Sequence, residues 1–135
     1  MGFPERSKRP KGRQGPISPV DNFVNSEGKK TLPSFYARVY KIVEQIPVGK
    51  VTTYGAIADV LGMKRSSRMV GQALSALPED SDVPAQRVIN RIGVLSGAHH
   101  FGGYGRMRSM LRREGITFKG ELVDLEKHFW DPRTL

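Results

Sequence analysis

With 135 residues, 38% of them hydrophobic and 8% aromatic, the chain has material for one core but not for two ordinary domains. Its 22 Lys and Arg against 13 Asp and Glu leave a net charge of +9, with an excess both in residues 1–34 and in the remainder, so a polyanion is the first partner class to consider. No residue is cysteine, which excludes disulfides, thiolate metal sites and thiol nucleophiles together.

No apolar run approaches the roughly 18 residues of a membrane span, and the polar N-terminus does not read as a signal peptide. The expectation is a soluble, intracellular protein. His99 and His100 are adjacent and His128 is remote, a spacing that does not suit zinc, so neither a metal nor a cofactor is expected. Residues 1–34 hold seven basic and three acidic groups and four of the nine prolines before position 20. Without apolar periodicity they read as a disordered basic arm. Such an arm could contact phosphates, act as a localisation signal, or be inert.

Residues 35–135 read as a single domain, mainly α with short strands. Ser34 is placed to cap a first helix, in which Phe35, Val39, Ile42, Val43 and Ile46 form one apolar stripe before Pro47 ends it. Val51-Thr52 should be short and extended. Thr53 can cap a second helix, Tyr54 to Leu61, stopped by Gly62. Met63-Lys64-Arg65 makes a tight basic turn, and Ser66 can cap a third helix from Ser67 to about Leu77. Two short helices joined this way fit a helix-turn-helix, and the whole fits a winged-helix-like domain.

Arg68, Gly71, Gln72 and Ser75 share the outer face of that third helix. A helix reading the major groove normally carries several long polar side chains, whereas this face is slender. It suits close approach to a minor groove about 6 Å wide, or else Gly71 simply permits tight helix packing.

After the acidic loop Glu79-Asp80-Ser81-Asp82, Val88-Ile89 and Val94-Leu95 should be short extended segments flanking a turn at Gly93. Gly97 to Gly105 reads as a flexible loop bordering the site, and Arg106 to Glu114 as a helix stopped by Gly115. Ile116, Phe118, Leu122 and Val123 suggest a hairpin around Lys119-Gly120. A last turn, Asp124 to Trp130, should pack Phe129 or Trp130 on the core.

Three stretches then stand out together: Ile46 to Ala58, which contains Pro47-Val48-Gly49-Lys50-Val51-Thr52-Thr53-Tyr54-Gly55; Arg68-Met69-Val70-Gly71-Gln72-Ala73; and Val83-Pro84-Ala85-Gln86-Arg87-Val88-Ile89. In order and spacing they resemble the DNA-binding domain of O6-alkylguanine-DNA alkyltransferases, from about Phe35 to Trp130. That family takes the alkyl group from a flipped guanine onto the cysteine of a Pro-Cys-His-Arg-Val loop. Here Ala85 stands at the cysteine position and Gln86 at the histidine position. A methyl group cannot attack carbon, and an amide is no general base near neutral pH.

The resemblance therefore implies the alkyltransferase-like branch: a non-enzymatic monomer that binds O6-alkylguanine in duplex DNA, flips the base and passes the lesion to nucleotide excision repair proteins. Branch members commonly carry tryptophan where this chain has Ala85, and histidine where it has Gln86.

By position, the resemblance assigns Arg68 to filling the vacated base stack and Tyr54 to steering the flipped nucleotide. Thr53, Lys64, Arg65, Ser67, Gly71 and Gln72 join them in contacting DNA. A pocket for the alkylguanine falls to Tyr54, Pro84, Ala85, Gln86, Arg87, Val88, Glu114, His99 and His100. Glu114 matches the carboxylate that orients the family's histidine, and is expected to survive without its partners; Arg87 is expected to brace the loop. Leu77 stands where the family has a hinge asparagine, and Ala98 to Phe101 does not match its guanine-contacting loop. The competing reading is a sequence-specific helix-turn-helix regulator.

Overall fold

The computed structural model describes residues 34–63 and 66–134. The arm expected before Ser34, and Lys64 and Arg65 of the basic turn, lie outside the described residues. What is described is mostly helical with a few short strands, in the arrangement of a helix-turn-helix.

Helix α1 spans Phe35–Val43, and Ser34 caps it as expected, its hydroxyl accepting from the Ala37 N–H at 3.2 Å. It stops short of Ile46, which is buried in the turn that follows. Strand β1, Thr52–Thr53, leads directly into α2, Tyr54–Val60, with Thr53 both ending the strand and capping the helix through the Ala56 N–H at 3.1 Å. Helix α3 runs Ser67–Ser75. Ser66 precedes it without a side-chain capping bond; its N–H instead donates to the Met63 carbonyl, closing the turn between α2 and α3.

The second strand, β2, is Val88–Ile89, and its partner is not Val94-Leu95. It pairs in parallel with β1, Thr52 opposite Val88 and Thr53 opposite Ile89. Val94 and Leu95 are excluded from a ladder because the chain folds back at once. The Gly93 N–H donates to the Asn90 carbonyl, and the Asn90 N–H to that of Val94. Gly93 is required in this turn: its φ is +98°, and a Cβ would meet the Val123 carbonyl oxygen at 2.9 Å.

A short 3-10 turn covers Ala98–Phe101, and α4 then spans Tyr104–Arg113. The helix begins two residues earlier than the glycine-rich sequence suggests. Tertiary contacts decide this: the Tyr104 hydroxyl donates to the Glu121 carbonyl and accepts from Arg108, holding the first turn against the hairpin. That hairpin, β3 (Phe118–Lys119) with β4 (Leu122–Val123), is antiparallel and turns through Gly120, as its sequence pattern predicts. Helix α5 is Leu125–His128, after which Trp130 packs on the core while Phe129 stays exposed.

Two apolar clusters meet along β1 and β2. One joins α1, α2 and α3 through Val39, Val43, Ile57 and Val70; the other gathers Val51, Ile89, Met107 and Leu111 beneath α4. The C-terminal segment is stitched to the strand layer by Trp130 N–H donating to Val51 O at 2.7 Å and by buried His128, which bonds Gly49 O and the Thr117 N–H. Among the described residues, none of the helices is long and apolar enough to cross a membrane.

One buried bond fixes α1 on α3: the Tyr40 hydroxyl donates to the Ala73 carbonyl at 2.6 Å. Burial, with nearby Tyr36 adding to it, pushes the Tyr40 phenol from 10.0 up to about 12. Below pH 10 it is protonated whether the chain is folded or not. Between 10 and 12 the unfolded chain ionises first, so stability falls across that window. Tyr40→Phe is expected to cost about 1 kcal/mol at neutral pH and to flatten the alkaline decline; urea midpoints from pH 7 to 12 check both.

Candidate nucleic-acid interface

The exposed face of α3 and the 3-10 turn Ala98–Phe101 form two walls of a cavity of about 280 Å³. Arg68, Gly71, Gln72, Leu74 and Ser75 line the first wall; Gly97, His99, His100 and Phe101 line the second, and Tyr54, Ala85 and Ser96 complete it. The volume lies at the lower edge of small-molecule sites. Arg68 is the only Arg, Lys, Asp or Glu among the lining residues.

Tyr54 stands in this cavity because β1 ends at Thr53 and α2 starts with its next residue. Burial raises the Tyr54 phenol, which a hydrogen bond with Ser96 partly offsets. Two glycines adjoin its ring, and one of them makes room for it. A Cβ on Gly97 would sit 3.0 Å from the Tyr54 hydroxyl, closer than the neighbour allows without moving. A Cβ on Gly71 would rest in ordinary contact, 3.9 Å from the ring, so packing does not demand glycine there. The slender α3 face is thus not explained by helix packing.

A single bond clasps the walls: Ser75 Oγ and His100 Nε2 are 2.8 Å apart. The Ser75 hydroxyl also lies within hydrogen-bond reach of the Gly71 carbonyl, at 2.9 Å, and the imidazole's role towards Ser75 is set by its tautomer. Burial and the neighbouring His99, whose ring centroid lies 4.0 Å away, lower the His100 pKa. Ser75 and His100 have the composition of a nucleophile and base, but not the geometry. Among the described residues no carboxylate is bonded to the ring to orient it.

The loop behind Ala85 is held by one carboxylate. Glu114 Oε2 accepts from the Gln86 amide at 2.8 Å, while the Arg87 guanidinium donates Nε to Oε1 at 2.8 Å and Nη2 to Oε2 at 3.2 Å. Arg87 also donates Nη1 to the Ile46 carbonyl at 2.8 Å, so loop, α4 end and α1 end meet at one point. Glu114 is therefore not left without partners: the Gln86 amide and the Arg87 guanidinium both donate to it.

Of the residues assigned to DNA or the pocket, the fold brings Tyr54, Arg68, Gly71, Gln72, Ala85, His99 and His100 to one cavity. Gln86, Arg87 and Glu114 support the loop from behind and do not line it. Pro84 also lies off the lining, and Val88 is 1% exposed within the core. Thr53 is buried as a strand end and cap, and Ser67 sits exposed in the first turn of α3 outside the cavity. Leu74, Ser96, Gly97 and Phe101 were absent from the sequence-derived site. Gly97 and Phe101 lie in the loop expected to border it, Leu74 falls within the expected third helix, and Ser96 carried no signal.

Comparison with known proteins identifies the family and the fold. The family described as 6-O-methylguanine DNA methyltransferase, DNA binding domain, matches residues 34–116. Alkyltransferase-like protein 1 of Schizosaccharomyces pombe is 40% identical over 106 residues, spanning 75% of this chain and 98% of its own length. The DNA base-flipping protein of Escherichia coli is 41% identical over 113 residues, 83% of this chain and 86% of that protein. The crystal structure of S. pombe Atl1 in complex with damaged DNA containing O6-carboxymethylguanine superposes with a TM-score of 0.62. It is 38% identical and covers 71% of this chain and 94% of that one.

The Glu114 brace makes a definite demand on stability. The Arg87 and Glu114 side chains are 14% and 17% exposed, so removing either partner strands a poorly solvated charge. Arg87→Ala and Glu114→Ala are each expected to cost about 2–4 kcal/mol. The double variant should lose less than the sum of the two, as read from denaturant midpoints in a double-mutant cycle.

Proposed function

The chain belongs to the family of the 6-O-methylguanine DNA methyltransferase DNA-binding domain, and from that premise we propose that it is a non-enzymatic sensor of O6-alkylguanine in duplex DNA. The observation that carries the reading is the pairing of Ala85 with Tyr54 and Arg68 on one base-sized cavity, in a chain without cysteine. Where a relative would present a thiol, this cavity presents a methyl group.

In this reading the slender face of α3 enters the minor groove, helped by Gly71 and Ser75. Arg68 fills the gap in the stack, and Tyr54 steers the extruded nucleotide into the cavity. Extrusion costs a few kcal/mol and least for a damaged, weakly paired base, which supplies selectivity before any contact is made. Ala85 leaves more room than cysteine for a bulky alkyl group. No covalent step follows, so the complex is reversible: the protein, acting as a monomer, marks the lesion for nucleotide excision repair proteins. The seven basic groups of residues 1–34 add salt-dependent attraction to phosphates.

The printed names of relatives support this reading: one is a base-flipping protein, and another was crystallised on DNA containing O6-carboxymethylguanine. A sequence-reading regulator needs several long polar side chains on its recognition helix. Among the α3 residues lining the cavity, the long polar ones are Arg68 and Gln72, which favours damage sensing.

Titration with matched O6-methylguanine and guanine duplexes tests the proposal. The alkylated duplex should bind more tightly whatever the flanking sequence, and equal affinities would overturn the reading. Arg68→Ala should reduce binding to alkylated DNA by about tenfold, about 1.4 kcal/mol, and lower the alkylated-to-normal ratio. The fluorescence gain of 2-aminopurine beside the lesion should fall with it. A mere phosphate contact would instead weaken all duplexes alike and reduce the salt slope by roughly one.

Incubation with DNA carrying labelled O6-methylguanine should leave the label on the DNA. Ala85→Cys should not restore transfer, because the amide at position 86, bonded to Glu114, cannot take the thiol proton. Stoichiometric labelling of the wild-type protein would contradict the non-enzymatic assignment.

A further inference from the structure

Helix α4 carries a second concentration of positive charge. Its ten residues hold Arg106, Arg108, Arg112 and Arg113 and no carboxylate, while Met107 and Leu111 are buried on the opposite side. Arg108, Arg112 and Arg113, with Gly105 and Ser109, line one open cleft of about 460 Å³. Arg108 and Arg112 also line a neighbouring cleft of about 410 Å³ beside Thr117 and Phe118. No Asp or Glu lines either cleft, and neither shares a residue with the cavity at α3.

The stripe is prearranged. The Arg108 guanidinium lies 4.3 Å from the centroid of the Phe118 ring, and its Nη1 donates to the Tyr104 hydroxyl at 2.6 Å and the Gly120 carbonyl at 3.0 Å. These partners are neutral, so the charge is oriented without being neutralised. Carboxylates on adjoining elements are directed elsewhere. Glu114 holds Gln86 and Arg87, and Asp124 and Glu126 face Lys119 at 3.9 and 3.8 Å. Glu121, in the hairpin turn, lines neither cleft. Arg112 and Arg113 are exposed and make no ion pair among the described residues.

The chemistry that fits is a repeating anion. A protein partner would be expected to seat a buried aromatic or aliphatic anchor, and Phe118, the aromatic residue lining these clefts, is covered by Arg108. Duplex DNA presents one charge per roughly 1.7 Å of its axis, counting both strands, so a stripe about one and a half helical turns long can meet more than one phosphate at once. We propose that Arg108, Arg112 and Arg113 form a second phosphate-binding surface for duplex DNA, separate from the lesion cavity and engaging backbone that α3 does not reach. The phosphates come either from a distal stretch of the same duplex or from a second duplex.

The test uses the full chain with Arg112→Gln/Arg113→Gln, two exposed positions, and the charge-keeping Arg112→Lys/Arg113→Lys as control. Binding is measured against salt on undamaged and alkylated duplexes of about one and about three helical turns, together with capture of one labelled duplex by another that is immobilised. If the same duplex is engaged, the Gln variant loses roughly two from the salt slope on three-turn DNA, but not on one-turn DNA. If a second duplex is engaged, single-duplex slopes stay as in wild type and the loss is confined to bridging.

In both cases the alkylated-to-undamaged ratio is unchanged and the Lys variant behaves as wild type. Unchanged slopes and unchanged bridging overturn the proposal. So does an equal loss on one-turn DNA, which would merge the stripe with the α3 footprint, or a changed lesion ratio. Loss of binding to a polyglutamate peptide with DNA binding intact would assign the stripe to an acidic protein instead. Undamaged DNA suffices for the slopes, so they remain decisive even if lesion discrimination itself fails.

Discussion

The Glu114 carboxylate is the point on which the site depends. It sits at the C-terminal end of α4 and accepts from Gln86 and Arg87, while Arg87 reaches on to the carbonyl of Ile46 beyond α1. Three segments far apart in the chain are thereby locked into one geometry. A carboxylate and a guanidinium this poorly exposed persist only with their bonding capacity met. The arrangement meets it with one bidentate pair, one amide and one carbonyl. Ala85 is held in place by its immediate neighbours, Gln86 and Arg87.

This separates two roles that the family's sequence pattern runs together. The loop residues after Ala85 face the brace, and the cavity is lined instead by α3, Tyr54 and the 3-10 turn Ala98–Phe101. With an amide at position 86, the loop keeps its shape without a titrating base, so its geometry depends on neither a thiol at position 85 nor an imidazole at position 86. The cavity walls are clasped independently, by the hydrogen bond between Ser75 and His100, and Gly97 lets the Tyr54 ring stand between them.

The positive charge is likewise divided. On α3 a single arginine projects among small neighbours, which suits insertion into a narrow groove. On α4 three arginines share open clefts without a carboxylate, which suits tracking along a backbone. The two helices rest on separate apolar clusters that meet along β1 and β2.

Local rules made much of this legible from the chain. Capping by Ser34 and Thr53, the apolar stripe of α1, the hairpin at Lys119-Gly120 and the shared α3 face follow from spacings of a few residues, where each residue's preference acts on its own neighbours. The missing cysteine and the amide at position 86 are likewise properties of composition. What only the tertiary structure decided involves partners distant in sequence. Val88-Ile89 pairs with Thr52-Thr53 and not with Val94-Leu95, because the turn at Gly93 folds against Val123. Helix α4 starts at Tyr104 because Glu121 and Arg108 hold its first turn. Glu114 serves Gln86 and Arg87, 28 and 27 residues away, and His100 meets Ser75 across 25. No local preference encodes such contacts, since each depends on two surfaces meeting after the core has closed.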